Sequence, residues 1–271
     1  MSIKGLYTAV SGAMAQNLRL ETVANNLANV NTPGFKKDTQ IFKEYLTANE
    51  KPPSVIQTPK VPASIESFYD MQGGDKSFVD SAGTYSDFSQ GGLKATGNAL
   101  DLALDGKGFF EIASPRGVKF TRNGSFSIDG QGQLVNKEGW PVLKRAEPGV
   151  TPDQRVIKIP VGAKLNVNEN GEILFDGEVA AQISVIDLLD PDSLQKEGNS
   201  VFGLKENMNP QLTNVVNPQL RQGFVETSNV NIIQEMTDMI SATRLFESSQ
   251  KAIQAYDSMA DKLVNVVPRS N

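Results

Sequence analysis

Two long proline-free stretches at the ends of this 271-residue chain constrain its fold more than any other feature. The first runs from Ser2 to Asn29, and its apolar residues recur at intervals of three and four, and once of seven, as on one face of an amphipathic helix. They are Ile3, Leu6, Val10, Ala13, Leu20, Ala24 and Leu27, and Tyr7, Met14, Leu18 and Val23 widen the face. Because proline disfavours helix in the residue before it, Thr32-Pro33-Gly34 should end this helix.

The second stretch covers residues 231–267 and has a broad apolar face, with no glycine or proline before Pro268. Its apolar residues are Ile232, Ile233, Met236, Met239, Ile240, Phe246, Ile253, Tyr256, Ala260, Leu263 and Val267. Asn231 gives a cap-like start, Ser228 is an alternative cap, and Pro268 gives the stop. At the rise of an α-helix this stretch reaches roughly 55 Å. That length favours a coiled coil or a bundle seam.

Between the two stretches, short alternating runs predict β-strands. They are residues 109–112, 118–121, 125–128, 133–135, 156–159, 163–167, 172–175 and 181–188. Turn-forming residues separate many of them: Pro115-Arg116-Gly117, Asn123-Gly124, Asp129-Gly130, Asn170-Gly171 and Asp176-Gly177. Asn, Asp and Gly tolerate positive φ, so these dipeptides favour tight hairpins.

These patterns predict an α+β fold in which long N- and C-terminal helices pack as a coiled-coil-like core domain beside a central antiparallel β domain. The core domain should combine residues 1–46 with 222–271, and the β domain should cover residues 93–221. Residues 47–92 contain several prolines and little periodicity, so we predict an irregular connector with a few short strands.

Composition excludes several classes of function. The chain has no cysteine and no histidine, which rules out Ser-His-Asp and Cys-His triads and the usual Cys/His zinc sites. A net charge of -5 argues against nucleic acid as a partner. No apolar run approaches the roughly 18 to 20 residues of a membrane span, so we expect no membrane insertion and no cleaved signal peptide. We predict no catalytic, cofactor-binding or metal site.

Local motifs that imitate ligand sites have simpler explanations. Asn166, Asn168 and Asn170 match alternate positions of a calcium loop, but Gly177 stands where a bidentate Glu is required, so a plain Asn-Gly hairpin is favoured. Gly106-Lys107-Gly108 lacks the strand-glycine-helix setting of a nucleotide loop and is interpreted as a turn.

Charged residues also give no site. Asp80, Asp87, Asp101 and Asp105 show no spacing that forces two carboxylates into one pocket, and we interpret them as scattered surface charge. Lys36-Lys37-Asp38 is interpreted as the solvated exit of the first helix.

The terminal helices predict self-assembly. Two paired helices bury one narrow seam, whereas both apolar faces are wider than that seam. About half a dozen unburied apolar side chains at roughly 1.5 to 3 kcal/mol each amount to a deferred stabilisation on the order of 10 kcal/mol. This matches the roughly 4 to 15 kcal/mol that association costs in entropy, so assembly is feasible when each subunit meets several neighbours.

One motif adds a family resemblance. The run from Val23 to Lys36, VANNLANVNTPGFK, resembles the N-terminal signature of bacterial flagellar basal-body rod and hook proteins. GLYTAVSG at 5–12, GFVETSNVN at 223–231, GKGFF at 106–110 and FTRNGSF at 120–126 resemble further motifs of the same family. Within this family, the chain resembles rod subunits of the FlgF/FlgG type. Residues 235–240, EMTDMI, and the proline-bearing segment after the first helix favour FlgF.

The resemblance implies a structural, non-enzymatic subunit of the flagellar rod, the drive shaft that transmits torque from motor to hook. Its partners would be copies of itself, other rod proteins and the flagellar type III export apparatus. It would be exported without a cleaved signal peptide and assembled in the periplasm, with the helices in the inner core of a tubular polymer. The alternative is a secreted β-rich binding module with oligomerising helical ends.

The predicted assembly interface combines the helical stripes with the signature residues. It consists of Leu6, Val10, Asn25, Asn26, Leu27, Asn29, Pro33, Gly34, Phe35, Asn229, Asn231, Met236, Ile240, Phe246, Ile253 and Leu263. The asparagine amides could tie the backbone of a neighbouring subunit, or could act only as local caps. Replacing Leu27 or Phe35 by Asp should block incorporation into the rod while the β domain stays folded.

Overall fold

A computed structural model describes residues 3–46, 77–145, 149–160, 165–175, 177–205, 208 and 211–266 of the chain. The chain forms two compact units. The helical unit takes its residues from Met1–Asn25, Thr39–Tyr85 and Ile233–Asn271, and the β unit takes its residues from Asn26–Asp38 and Ser86–Ile232. The architecture is therefore α+β, with terminal helices and a central antiparallel β region.

Both predicted terminal helices are confirmed, α1 at Ile3–Ala28 and α2 at Ile232–Val266. They contact each other in at least two places. Arg19 Nη2 lies 3.6 Å from Asp238 Oδ1, and a Cβ added to Gly5 would lie 2.5 Å from Tyr256 Oη. Because the contact moves towards the start of α1 as it moves towards the end of α2, the helices are antiparallel.

Two strands accompany the helices, β1 at Asp38–Leu46 and β2 at Ser77–Ser86. They pair as a two-stranded ribbon. Thr84 Oγ1 donates a 3.1 Å hydrogen bond to Gln40 Oε1, and Thr22 Oγ1 of α1 donates one of 3.2 Å to the same oxygen. The predicted connector at residues 47–92 thus includes a ten-residue strand. Its residues 47–76 lie outside the described part of the chain.

The β unit is built from short strands. They are β3 Leu93–Ala95, β4 Leu102–Leu104, β5 Phe109–Ser114, β6 Gly117–Thr121, β7 Ser127–Ile128, β8 Leu134–Val135, β9 Asn166–Val167, β10 Glu172–Phe175, β11 Glu178–Gln182, β12 Val185–Leu188, β13 Leu194–Gly198, β14 Val201–Leu204, β15 Leu212–Asn214, β16 Leu220–Gln222 and β17 Phe224–Glu226. The largest sheet has the order β13-β14-β6-β5-β12-β15, and every neighbouring pair in it is antiparallel. Smaller sheets join β11-β10-β9, β16-β4, β17-β3 and β7-β8.

Strand β5, in the middle of the large sheet, is buried on both faces. Phe110 and Ile112 of β5 belong to one apolar cluster with Leu134 and Ile173, whereas Phe109 belongs to a second. The second cluster comprises Phe109, Phe120, Ile186, Leu188, Leu194 and Phe202. Successive side chains of a strand point to opposite faces, so a strand covered on both sides has a nearly continuous apolar sequence.

Several predicted turns are confirmed as hairpins. Residues 115–116 connect β5 to β6, residues 129–133 connect β7 to β8, and residues 168–171 connect β9 to β10. In the last of these, Asn168 Oδ1 accepts hydrogen bonds from the backbone N–H groups of Asn170 and Glu172. The calcium-like motif is therefore an asparagine-stabilised turn.

The predicted hairpin at Asn123-Gly124 is wrong, because β6 pairs with β5 and β14 and not with β7. Gly124 instead lies against β4: the N–H of Leu102 donates a 2.9 Å hydrogen bond to Gly124 O, and a Cβ on this glycine would lie 1.6 Å from Leu102 O. Only glycine permits this approach of two backbones.

Two predicted strands also differ from the structure. Residues 181–188 do not form one strand but divide between β11 and β12, which belong to different sheets. Residues 156–159 make only isolated bridges, Leu143 with Val156 and Gln133 with Lys158. Short apolar runs gave the correct local conformation here but not the partner, which is set by contacts distant in sequence.

Candidate assembly surface

An uncovered apolar face runs along α1. It consists of Leu6, Tyr7, Val10, Met14 and Leu18, with Met14 65% and Tyr7 58% exposed. Residues three, four and seven apart share one side of a helix, so these side chains form one stripe. The buried residues Ala15 and Val23 lie away from this stripe, whereas the buried Ala13, seven residues after Leu6, lies at its edge. Helix α1 therefore has one apolar face covered within the protomer and one left in solvent.

Helix α2 has the same division. Ile233, Met236 and Ile240 are exposed near its start, with Ile233 78% exposed. On the other side, Ala242 is buried and Phe246 and Ile253 are half-buried, at spacings of four and seven. The exposed residues lie close to opposite the covered ones on a helical projection. Both helices thus offer apolar surface that nothing in the described chain covers.

The predicted interface residues fall into three groups. Those with exposed side chains are Leu6, Val10, Asn25, Asn231, Met236 and Ile240. Those that are half-buried are Leu27, Asn29, Pro33, Asn229, Phe246 and Ile253, and those that are buried are Asn26, Gly34 and Phe35. The side chain of Leu263 lies outside the described residues. The exposed group remains the predicted contact surface, whereas several signature residues have partners in their own chain.

The signature asparagines bind backbone of the same protomer. Asn26 Nδ2 donates to Asp38 O at 2.8 Å, and its Oδ1 accepts from Asp38 N at 2.9 Å. Asn229 Oδ1 accepts from Lys37 N at 2.7 Å, and its Nδ2 donates to Asp87 O at 2.8 Å. These two amides hold consecutive residues after α1 in an extended conformation.

Gly34 and Phe35 have equally specific local positions. Gly34 adopts φ 67°, and a Cβ there would lie 2.4 Å from the backbone nitrogen of Asn123. Phe35 is 3% exposed, and Lys196 Nζ lies 3.6 Å from the centre of its ring. A cation over an aromatic face is favourable, so Phe35 is anchored within the β unit. Its expected role against a neighbouring subunit has no support from this placement.

The most buried charge cluster of the described residues has no local signal in the sequence. Lys36 Nζ lies 2.6 Å from Glu226 Oε1 and donates a 2.7 Å hydrogen bond to Ser89 O, with the lysine side chain fully buried. Arg122 Nη1 lies 3.2 Å from Glu226 Oε2. The interpretation of Lys36 as part of a solvated helix exit is therefore wrong. Its carboxylate partner lies 190 residues away in the chain, and no local pattern signals such a pairing.

Burial dominates the electrostatics of these cations. It lowers the pKa of Lys36 from its ordinary value, while the charge of Glu226 and its hydrogen bond oppose that shift. Burial likewise lowers the pKa of Arg122 and of Lys196, against the opposing effects of Glu226 and Asp38 respectively. A charged group is less stable away from water, and the negative partner beside each cation offsets part of that cost.

Two features are absent from the described residues. Because the chain has no histidine and no cysteine, only Asp and Glu remain as candidate metal ligands of the His, Cys, Asp and Glu type. No three of them come together in the described residues as a potential metal site. Neither helix contains, in its described part, an apolar segment of the length needed to cross a membrane.

Three models of protein families match the chain. "Flagella basal body rod protein" matches residues 6–36, "Flagellar hook protein FlgE/F/G D1 domain" matches residues 103–175, and "Flagellar basal body rod FlgEFG protein C-terminal" matches residues 221–266. The first and last cover α1 with the signature segment and α2 with the strands before it.

Individual relatives match over almost their whole length. The flagellar basal-body rod protein FlgG of Bacillus subtilis (strain 168) is 32% identical over 97% of this chain and 99% of the relative. FlgG of Borreliella burgdorferi is 32% identical over 95% and 96%, and FlgF of Caulobacter vibrioides is 31% identical over 91% and 90%. Both names occur at similar identity, so the preference for FlgF stays a prediction. The alternative of a secreted binding module has no support in these matches. The chain belongs to the family of flagellar basal-body rod proteins of the FlgF/FlgG type.

Proposed function

We propose that the chain is a structural, non-enzymatic subunit of the bacterial flagellar rod and polymerises with copies of itself and with other rod proteins through its terminal helices. The names and the full-length match of the relatives support the rod assignment. In this role the subunit is part of the shaft that transmits torque from motor to hook. It reaches its place in the periplasm through the flagellar type III export apparatus.

The uncovered apolar faces of α1 and α2 carry the proposal of helix-mediated assembly. Six of their side chains, Leu6, Val10, Met14, Ile233, Met236 and Ile240, are at least one-third exposed. Removing such side chains from water is worth roughly 1.5 to 3 kcal/mol each when burial is complete. Association costs roughly 4 to 15 kcal/mol in lost freedom, so one helix contact is weak and several simultaneous neighbours are needed for a stable shaft.

The proposal is tested by placing a charge in each exposed face. Met236→Asp and Val10→Asp should remove the chain from purified basal bodies, because a carboxylate in an apolar contact loses its hydration without gaining a partner. Gln250→Asp is the matched control, since Gln250 is an exposed polar residue of α2. Immunoblots of isolated basal bodies and swimming assays give the readout, and circular dichroism of the purified variants establishes that they fold.

Normal incorporation of Met236→Asp and Val10→Asp, with motility equal to that of Gln250→Asp, would refute helix-mediated assembly. Loss of incorporation by all three variants would mean that any added negative charge on the helices is harmful, and it would also count against a specific apolar contact.

A further inference from the structure

Glu226 accepts hydrogen bonds from three separate segments of the β unit. Its Oε1 accepts from Lys36 Nζ at 2.6 Å and from the N–H of Gly91 at 2.9 Å. Its Oε2 accepts from Arg122 Nη1 at 3.2 Å, and its backbone oxygen accepts from the N–H of Gly34 at 2.8 Å. One residue of β17 thus joins the chain after α1, the segment before β3 and the end of β6.

The charge balance of this cluster depends on a single anion. Lys36, Arg122 and Glu226 are all nearly or fully buried, so two cations share one carboxylate. Other acidic groups act on the cations more weakly, Asp87 on Lys36 and Asp187 on Arg122. Removing Glu226 leaves two buried cations facing each other, whereas removing Lys36 leaves a balanced pair. Breaking a buried ion pair from one side is strongly destabilising, because the remaining charge has no compensation.

We propose that Glu226 is a conformational latch: the segment of residues 26–38 docks on the rest of the β unit only when this carboxylate is in place. Lys36 and Arg122 repel each other until Glu226 lies between them, and they precede it in the chain by 190 and 104 residues. Docking of the segment after the first helix is therefore conditional on the segment that leads into the last helix. This inference concerns the isolated protomer and does not rest on the proposed function.

The latch also restricts the register of docking. Docking in the present register places Lys37 N on Asn229 Oδ1 and Lys36 Nζ on Glu226 Oε1 at the same time. A shift by one residue in one direction would bring Phe35 to Glu226 and leave the carboxylate without a lysine partner, whereas a shift in the other direction would bring Lys37 there. The ion pair therefore disfavours the first of these two shifts.

Hydrogen exchange of the full-length Glu226→Gln variant tests the latch. The amide is nearly isosteric, so packing is kept while the negative charge is removed. Exchange should become faster by about tenfold or more at the amides of Gly34, Lys37 and Gly91. Without the negative charge of residue 226, local opening of the segment no longer breaks a favourable ion pair, so it costs less free energy. The amides of Leu134 and Val142, which bond within the β core, should keep their protection. Glu197→Gln is the control, since it removes the carboxylate of a more exposed pair with Lys119.

Two further variants keep the test decisive if Glu226→Gln fails to fold. Lys36→Met leaves Arg122 and Glu226 paired and should give a smaller, local loss of protection around Lys37 and Gly91. The double variant Lys36→Met/Glu226→Gln should be more protected in this segment than Glu226→Gln alone, because one of the two uncompensated cations is gone. Unchanged exchange in Lys36→Met, or equal exchange in the single Glu226→Gln and the double variant, would overturn the latch.

Discussion

Lys36 Nζ lies 2.6 Å from Glu226 Oε1, and neither side chain has any exposure to solvent. The ammonium group of Lys36 is under two opposing influences, because burial disfavours its charged form and the carboxylate of Glu226 favours it. Burial is the larger influence, and the pKa of Lys36 lies below its ordinary value. The other charged groups around this ammonium are Arg122, which lowers its pKa further, and Asp87, which raises it.

The lowered pKa of Lys36 predicts that the stability of the protein changes with pH in the alkaline range. The folded state releases the proton of Lys36 at a lower pH than the unfolded chain, whose lysine has the ordinary pKa of 10.5. Between the two values the unfolded state holds more protons, so the contribution of Lys36 to the free energy of unfolding rises with pH. It is largest above 10.5 and is lost as the pH falls through the folded-state value.

Urea denaturation of the wild type and of Lys36→Met at pH 7.5 and pH 10 measures this contribution. We expect the difference in free energy of unfolding to move in favour of the wild type at the higher pH. Movement in favour of Lys36→Met would mean that the ion pair with Glu226 outweighs burial and raises the pKa.

Gly34 is predicted to be intolerant of substitution for two separable reasons. Its φ of 67° is unfavourable for any side chain, and a Cβ would meet the backbone of Asn123 at 2.4 Å. Gly139 is a matched control, with φ 80° and no atom within 4 Å of an added Cβ. Gly139→Ala should cost about 1–2 kcal/mol from conformation alone. Gly34→Ala should cost a further 1–3 kcal/mol or so from overpacking.

The midpoint of thermal unfolding of the two alanine variants checks this prediction. Equal destabilisation at the two positions would show that the close approach of Gly34 to Asn123 relaxes at no cost.

Phe35 should affect folding rather than assembly alone. From the sequence, Phe35→Asp is expected to block incorporation while the β domain stays folded. Because Phe35 is buried within the β unit, we now expect Phe35→Asp to destabilise that unit and Phe35→Ala to cost about 3–5 kcal/mol. Leu189→Ala, at a 76% exposed apolar residue of the same unit, should cost much less. Chemical denaturation followed by the fluorescence of Trp140 gives both values, and a similar small loss in both variants would contradict the assignment.

The helices and many strands could be predicted from the sequence because their signals are local. The apolar spacing of α1 and the stop at Pro33 lie within one continuous segment, and so do the turn residues at 129–133. Gly124 is different: the Asn-Gly dipeptide predicts a hairpin, but the close approach of this glycine to β4 depends on a strand about twenty residues earlier.

The buried contacts of the signature segment could not be predicted for the same reason. Asn26, Lys36 and Phe35 meet partners at residues 38, 226 and 196, and only the first of these is near in sequence. A lysine after a helix looks like a solvated charge until the folded chain supplies Glu226. The exposed stripe of α1 was foreseeable, because the width of an apolar face can be compared with the width of one helix contact.

The pairing of α1 with α2 is tested by two glycines of α1. Gly12 has no atom within 4 Å of an added Cβ, so Gly12→Ala should stabilise the helix by about 1 kcal/mol. Gly5→Ala should gain much less, since its Cβ would lie 2.5 Å from Tyr256 Oη and that side chain would have to move. Adding Tyr256→Phe removes the nearest atom and should restore part of the gain. Thermal unfolding monitored by circular dichroism at 222 nm compares the variants, and an equal gain for Gly5→Ala and Gly12→Ala would mean that the two helices do not pack together at this point in solution.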